Sequence, residues 1–122
     1  MTQVKTLMGS GFAPLAAQAV VGGVANTLTA TGSSSQANSY AIQESISIFT
    51  TAAGNSGARL PLGSNPGDSF WIANGDGNTM LVYPPTAGKI NFGSANASVS
   101  LTTLQKGLFI SIDGTNYLGL IA

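Results

Sequence analysis

The stretch from Arg59 to Phe92 constrains the fold most: R-L-P-L-G-S-N-P-G-D-S-F-W-I-A-N-G-D-G-N-T-M-L-V-Y-P-P-T-A-G-K-I-N-F. Two short apolar runs, residues 70–73 and 80–83, flank the cluster Asn74-Gly75-Asp76-Gly77-Asn78. Runs of β-branched and aromatic residues bounded by Asn, Asp, Gly and Pro have the character of strands. Asn-Gly and Asp-Gly tolerate the positive φ that tight hairpin turns require. Pro66-Gly67 closes the stretch on one side and Pro84-Pro85 on the other, where a missing N–H stops a ladder. The pattern predicts an antiparallel hairpin centred on residues 74–78, and with it an all-β chain.

Similar signals recur along the sequence. Residues 26–31 alternate, and residues 39–51 carry Ile42, Ile46 and Ile48 at even spacing with Ser45 and Ser47 between them. That spacing predicts a strand with one apolar and one wet face. Residues 53–57 turn the chain, and Pro61 makes residues 58–62 an expected edge segment. Residues 89–92 and 97–101 are weaker strands. Leu108, Ile110 and Ile112 share one face of a further strand, and Asp113-Gly114-Thr115-Asn116 returns the chain through residues 117–121 as a second hairpin. In residues 70–73 and 80–83 both faces are apolar, which predicts cover on both sides by a second sheet or a neighbouring subunit. Short strands with turn signals every 8–12 residues or so give the expected fold: an antiparallel β-sandwich, with the jelly-roll as one form of it. No internal repeat suggests a solenoid or propeller.

The N-terminal stretch, up to Ala25, differs from the rest. Residues 12–25 are small, apolar and uncharged, with Gly9 and Gly11 before them and Lys5 upstream, a faint likeness to a secretion signal. Gly and Pro interrupt the run too often for a membrane span. The expected organisation is an extended N-terminal arm, residues 1–25, that packs on a partner, followed by a β-sandwich domain, residues 26–122. The alternative is a first element folded onto its own core. Candidate interface residues are Leu7, Met8, Phe12, Leu15, Val20, Val21 and Val24 in the arm, with Trp71 and Tyr83 in the central stretch.

Charge bounds the function. Only 7% of the residues are charged, against roughly 25% in an average soluble protein, while 43% are hydrophobic. Such a chain is too apolar for disorder. With a formal net charge of zero it has little repulsion to oppose association. The absence of cysteine and histidine removes disulfides, thiolate metal sites and the commonest proton-transfer side chain. The four bases, Lys5, Arg59, Lys89 and Lys106, are scattered, so direct nucleic-acid binding is not expected.

The motifs that hint at chemistry have simpler explanations. Asn74-Gly-Asp76-Gly-Asn78 spaces oxygen-bearing side chains like a calcium loop, but the required glycine and bidentate carboxylate positions hold Thr79 and Pro85. The glycine-rich segments 54–57 and 63–67 lack the Gly-Lys-Ser/Thr ending that cradles phosphate. Asp68, Asp76 and Asp113 sit in turn signatures, which accounts for them without a carboxylate pair for glycosidic chemistry. No enzyme, metal or cofactor is expected. Trp71, Tyr83 and Tyr117 together suggest a sugar-stacking platform, although their places inside apolar strands favour packing.

From Asn26 to Tyr117 the chain resembles small structural proteins of tailed bacteriophages. The similarity is carried by N-T-L-T-A-T-G followed by Gln36-Ala37, by T-T-A-A-G-N-S-G-A-R-L-P, by P-G-D-S-F-W-I-A-N-G, by L-V-Y-P-P-T-A-G-K-I-N, and by Tyr117 near the end. The resemblance implies a virion component on the capsid surface. The implied role is a head decoration (cement) protein, a β-sandwich that clasps neighbouring copies of the major capsid protein, often as a trimer. It carries over no catalytic residue. Rival expectations are a tail, baseplate or head-fibre subunit, and a carbohydrate-binding module for host-surface recognition.

Overall fold

The computed structural model describes residues 23–122, which form nine strands and no helix. The strands are β1 (Val24–Thr29), β2 (Tyr40–Ala41), β3 (Ile46–Thr51), β4 (Gly57–Arg59), β5 (Ser69–Asn74), β6 (Met80–Tyr83), β7 (Val99–Leu101), β8 (Lys106–Ser111) and β9 (Tyr117–Ile121). They lie in two sheets, a five-stranded sheet in the order β1-β3-β5-β8-β9 and a four-stranded sheet in the order β2-β4-β6-β7. The all-β expectation is met, but the antiparallel sandwich and its jelly-roll form are not, because the sheets are mixed.

The reason lies in how the chain winds. Strands β1 to β6 alternate between the two sheets, so each strand meets its neighbour only after a full circuit and runs parallel to it. One circuit carries the chain from Val24 to its partner Ile46, and the next from Ile46 to its partner Trp71. Each circuit supplies the dozen or more residues that a parallel connection needs. This is solenoid-like winding, contrary to the sequence expectation, and it leaves no repeat because stacked positions differ in identity: Ala25, Ser47 and Ile72 lie in one row. The last three strands then reverse direction. β7 pairs antiparallel with β6, β8 with β5, and β9 with β8.

The central hairpin is therefore absent, since β5 and β6 belong to different sheets. Residues 75–79 carry the chain from one sheet to the other as an arch. Neither Gly75 nor Gly77 adopts a positive φ, so the tight turn that Asn-Gly and Asp-Gly permit is not used. Asn74 turns inward instead. Its Nδ2 donates to the carbonyls of Asn78 (2.8 Å), Leu101 (2.9 Å) and Thr102 (3.2 Å), and its Oδ1 accepts from the Asp76 N–H (3.0 Å). The second hairpin does form. Asp113 accepts from the N–H groups of Thr115 and Asn116 at its head, and Gly114 takes the positive φ of 86°.

Other expectations shift in the same way. Residues 39–51 are split between β2 and β3, and the expected edge segment at 58–62 overlaps the end of β4, which is interior to its sheet. Pro61 lies beyond the end of β4, so it removes nothing from the ladder. Residues 89–92 make only the bridge between Ile90 and Tyr117, because Asn91 and Phe92 both have positive φ. Val24 and Ala25 belong to β1, and the rest of the expected arm, up to residue 22, lies outside the described residues.

One apolar core is shared by the two sheets. Phe49, Ile72, Phe109 and Tyr117 from the five-stranded sheet meet Ala58, Met80, Val82 and Leu101 from the other. The Tyr117 hydroxyl donates to the Pro61 carbonyl (2.6 Å) and bonds the Ser64 hydroxyl (2.7 Å), tying β9 to residues 60–68. Arg59 donates to the carbonyls of Gln36 and Ala37, and Gln36 to that of Pro84, which fastens residues 30–39 across the four-stranded sheet.

Candidate assembly surface

The five-stranded sheet has its polarity reversed on β3. Ser47 and Phe49 point into the core, while Ile46 and Ile48 point outward. The even spacing of isoleucines does mark a strand, but the expected wet face is the inner one. The Ser47 hydroxyl is buried with no hydrogen-bond partner among the described residues. β8 behaves alike: Gly107, Phe109 and Ser111 are buried, and Leu108, Ile110 and Ile112 lie on the outer side.

The register aligns these outward side chains into rows. Val24, Ile46, Trp71, Leu108 and Leu120 stand opposite one another across all five strands. Ile48 and Ala73 lie in a neighbouring row that ends at Lys106, and Ile110 and Leu118 lie in another beside Ser69. Trp71, on the middle strand, is 48% exposed, and the row's two ends, Val24 and Leu120, are 60% and 71% exposed. Ile46, Ile48, Trp71 and Ala73 line a shallow apolar groove with Lys106 at its rim. A sheet with one solvated face ordinarily alternates apolar-in and polar-out. Here both faces are apolar, and a continuous exposed apolar patch of this kind is a candidate interaction surface.

Of the candidate interface residues, Trp71 and Val24 fall in this one row, which the sequence did not connect. Tyr83 is buried in its own chain, and Leu7, Met8, Phe12, Leu15, Val20 and Val21 lie outside the described residues. Ile46, Leu108, Ile110, Leu118 and Leu120 were not candidates. Their signal was the period of two in residues 46–49, 108–112 and 117–121, which identifies a face without saying which side it is on. Trp71 does not share a surface with Tyr83 and Tyr117, both of which are buried, so the three aromatics form no common platform.

Three carboxylates, Asp68, Asp76 and Asp113, are engaged in loop geometry. Asp68 accepts from the Asn65 N–H, and Asp76 from the Asn78 backbone and amide. The Asn116 N–H, then its side-chain amide and the Thr115 N–H, hold the Asp113 carboxyl below its ordinary value. Burial pushes the Tyr117 phenol up. Among the described residues no three acidic, histidine or cysteine side chains converge as a metal site would require. No helix there is long and apolar enough to cross a membrane. Compared with protein-family models, curated proteins and solved structures, the chain has no match.

Proposed function

We propose that this chain is a structural subunit of a tailed-bacteriophage particle: a homo-oligomeric capsid decoration protein that bridges neighbouring capsid subunits. The observation that carries the reading is the apolar row across all five strands of one sheet, in a chain with 7% charged residues. The likeness of residues 26–117 to tailed-phage structural proteins supplies the particle. The role is mechanical, without cofactor, nucleic acid or membrane. Burying apolar surface across subunit boundaries raises the free energy needed to separate them. Purified particles of the parent phage provide the test, by peptide mass spectrometry and gold-antibody labelling in electron micrographs. Label distributed over the head, together with weakened heat resistance of particles lacking the protein, supports decoration. Label confined to the tail or baseplate moves the subunit there, and absence from washed particles removes the virion reading. Trp71 standing outward beside Lys106 favours one second reading, carbohydrate binding, which a glycan array tests directly.

A further inference from the structure

We infer that the outer face of the five-stranded sheet is where copies of this chain hold one another, face to face, with Trp71 at the middle of the contact. The inference rests on reading the chain as an assembly subunit and names the surface that assembles it. Three observations argue for a second copy as the occupant. The first is charge. Among the described residues, Lys106 is the one charged side chain on these five strands, so the face offers almost nothing to a charged partner. The chain itself has a formal net charge of zero and presents a matching uncharged surface. Like copies meet without repulsion.

The second is area. Strands about 4.8 Å apart with a rise of about 3.3 Å per residue give a five-stranded face of roughly 24 by 20 Å. Two such faces bury about 1,000 Å² even as flat projections, the size at which a specific interface begins. The third is shape. The row runs Val24, Ile46, Trp71, Leu108, Leu120, with the bulkiest side chain on the central strand and aliphatic ones toward both edges. Two-fold closure brings this row against itself with the tryptophans nearest the axis, and sheets so stacked stand about 10 Å apart.

The test is the mass of the purified full chain by light scattering at roughly 50 µM, well above the Kd of most specific contacts. It is run beside Ile46→Lys and Leu120→Lys on the face and Leu62→Lys off it, where Leu62 is 67% exposed and follows β4 of the other sheet. The expected result is twice 12.2 kDa for the wild type and Leu62→Lys. Both face variants are expected at the single-chain mass with unchanged circular dichroism, because a lysine charge buried in the contact weakens it at least about 100-fold. A second readout needs no variant: fluorescence of the chain's one tryptophan should shift to the red and become quenchable by iodide as the wild type is diluted into monomer. A monomeric wild type, face variants that stay assembled, or Trp71 emission unchanged on dissociation would each overturn the inference. The proposed function fails separately. A chain that assembles through this face but is missing from particles removes the virion role alone, and a monomer found in particles removes the face alone.

Discussion

Replacing Asn74 with alanine should remove the clamp that turns the chain from one sheet into the other. The side chain is 1% exposed at the end of β5, and one amide group serves four backbone partners. Three carbonyls surround Nδ2 and an N–H faces Oδ1, which fixes the amide orientation. Each intramolecular hydrogen bond contributes about 1 kcal/mol net, and a buried group left without a partner costs about 1–3 kcal/mol. Water reaches the partly exposed ends of the arch, but the bond to the Leu101 carbonyl is buried and its acceptor would be stranded. Asn74→Ala should therefore destabilise by about 3–4 kcal/mol, a large part of the roughly 5–15 kcal/mol that holds a domain folded.

At about 4–8 °C per kcal/mol, the midpoint falls by roughly 12–30 °C. Thermal and urea unfolding followed by circular dichroism measure this, at one protein concentration because association adds to apparent stability. Asn74→Asp separates hydrogen bonding from shape. A carboxylate there would face three carbonyl oxygens, so its folded pKa is raised above the unfolded value near 3.9. Stability is then retained below that unfolded value and lost as pH rises through the folded one. The gap from wild type should widen from pH 3 to 7. An alanine variant within about 0.5 kcal/mol of wild type, or an aspartate variant whose deficit ignores pH, would refute the clamp.

Two further changes probe the winding. In Gly57→Ala the new Cβ runs into the Leu81 carbonyl where β4 lies against β6, so unfolding free energy should drop by about 1–3 kcal/mol, and a neutral result would refute the close approach. Tyr117→Phe loses the bonds to Pro61 and Ser64 and should cost about 1–2 kcal/mol in urea unfolding. Because burial raises the Tyr117 pKa, the wild type keeps that stabilisation below the ordinary value near 10 and loses it as pH rises through the folded one. Above pH 10 the phenylalanine variant should lose stability less steeply than wild type, and parallel alkaline limbs would contradict this.

Strand content was legible because it is local. Turn residues and β-branched runs placed most of the strands, and the β8–β9 hairpin was readable because Asp113 and Gly114 act on the residues beside them. The central arch uses the same vocabulary with the opposite outcome. What decides it is Asn74, whose amide reaches Leu101 and Thr102, far along the chain. No window around 74–78 contains that information. Parallel pairing was hidden for a related reason: rows stacked one circuit apart, as Val24, Ile46 and Trp71 are, share a direction but not a residue type.

The apolar outer face was half legible, and the missing half is a matter of volume. A period of two separates the sides of a strand, but assigning the inner one takes knowledge of what fills the core. On β8 and β9 the inner side pairs one large ring with small neighbours: a Cβ on Gly107 or Gly119 would strike the Phe109 ring. On β3 the inner side likewise sets Ser47 beside Phe49. The core is close-packed by large against small. A run of medium aliphatics at every inward position would overfill the space that Phe49, Phe109 and Tyr117 occupy at 0% exposure. Ile46 and Ile48 of β3, Leu108 and Ile110 of β8, and Leu118 and Leu120 of β9 are therefore displaced to the outside by the aromatics rather than drawn inward by their own hydrophobicity. With the core filled by these rings, the aliphatics of the outer side form the apolar row across five strands on which the proposed contact between copies rests.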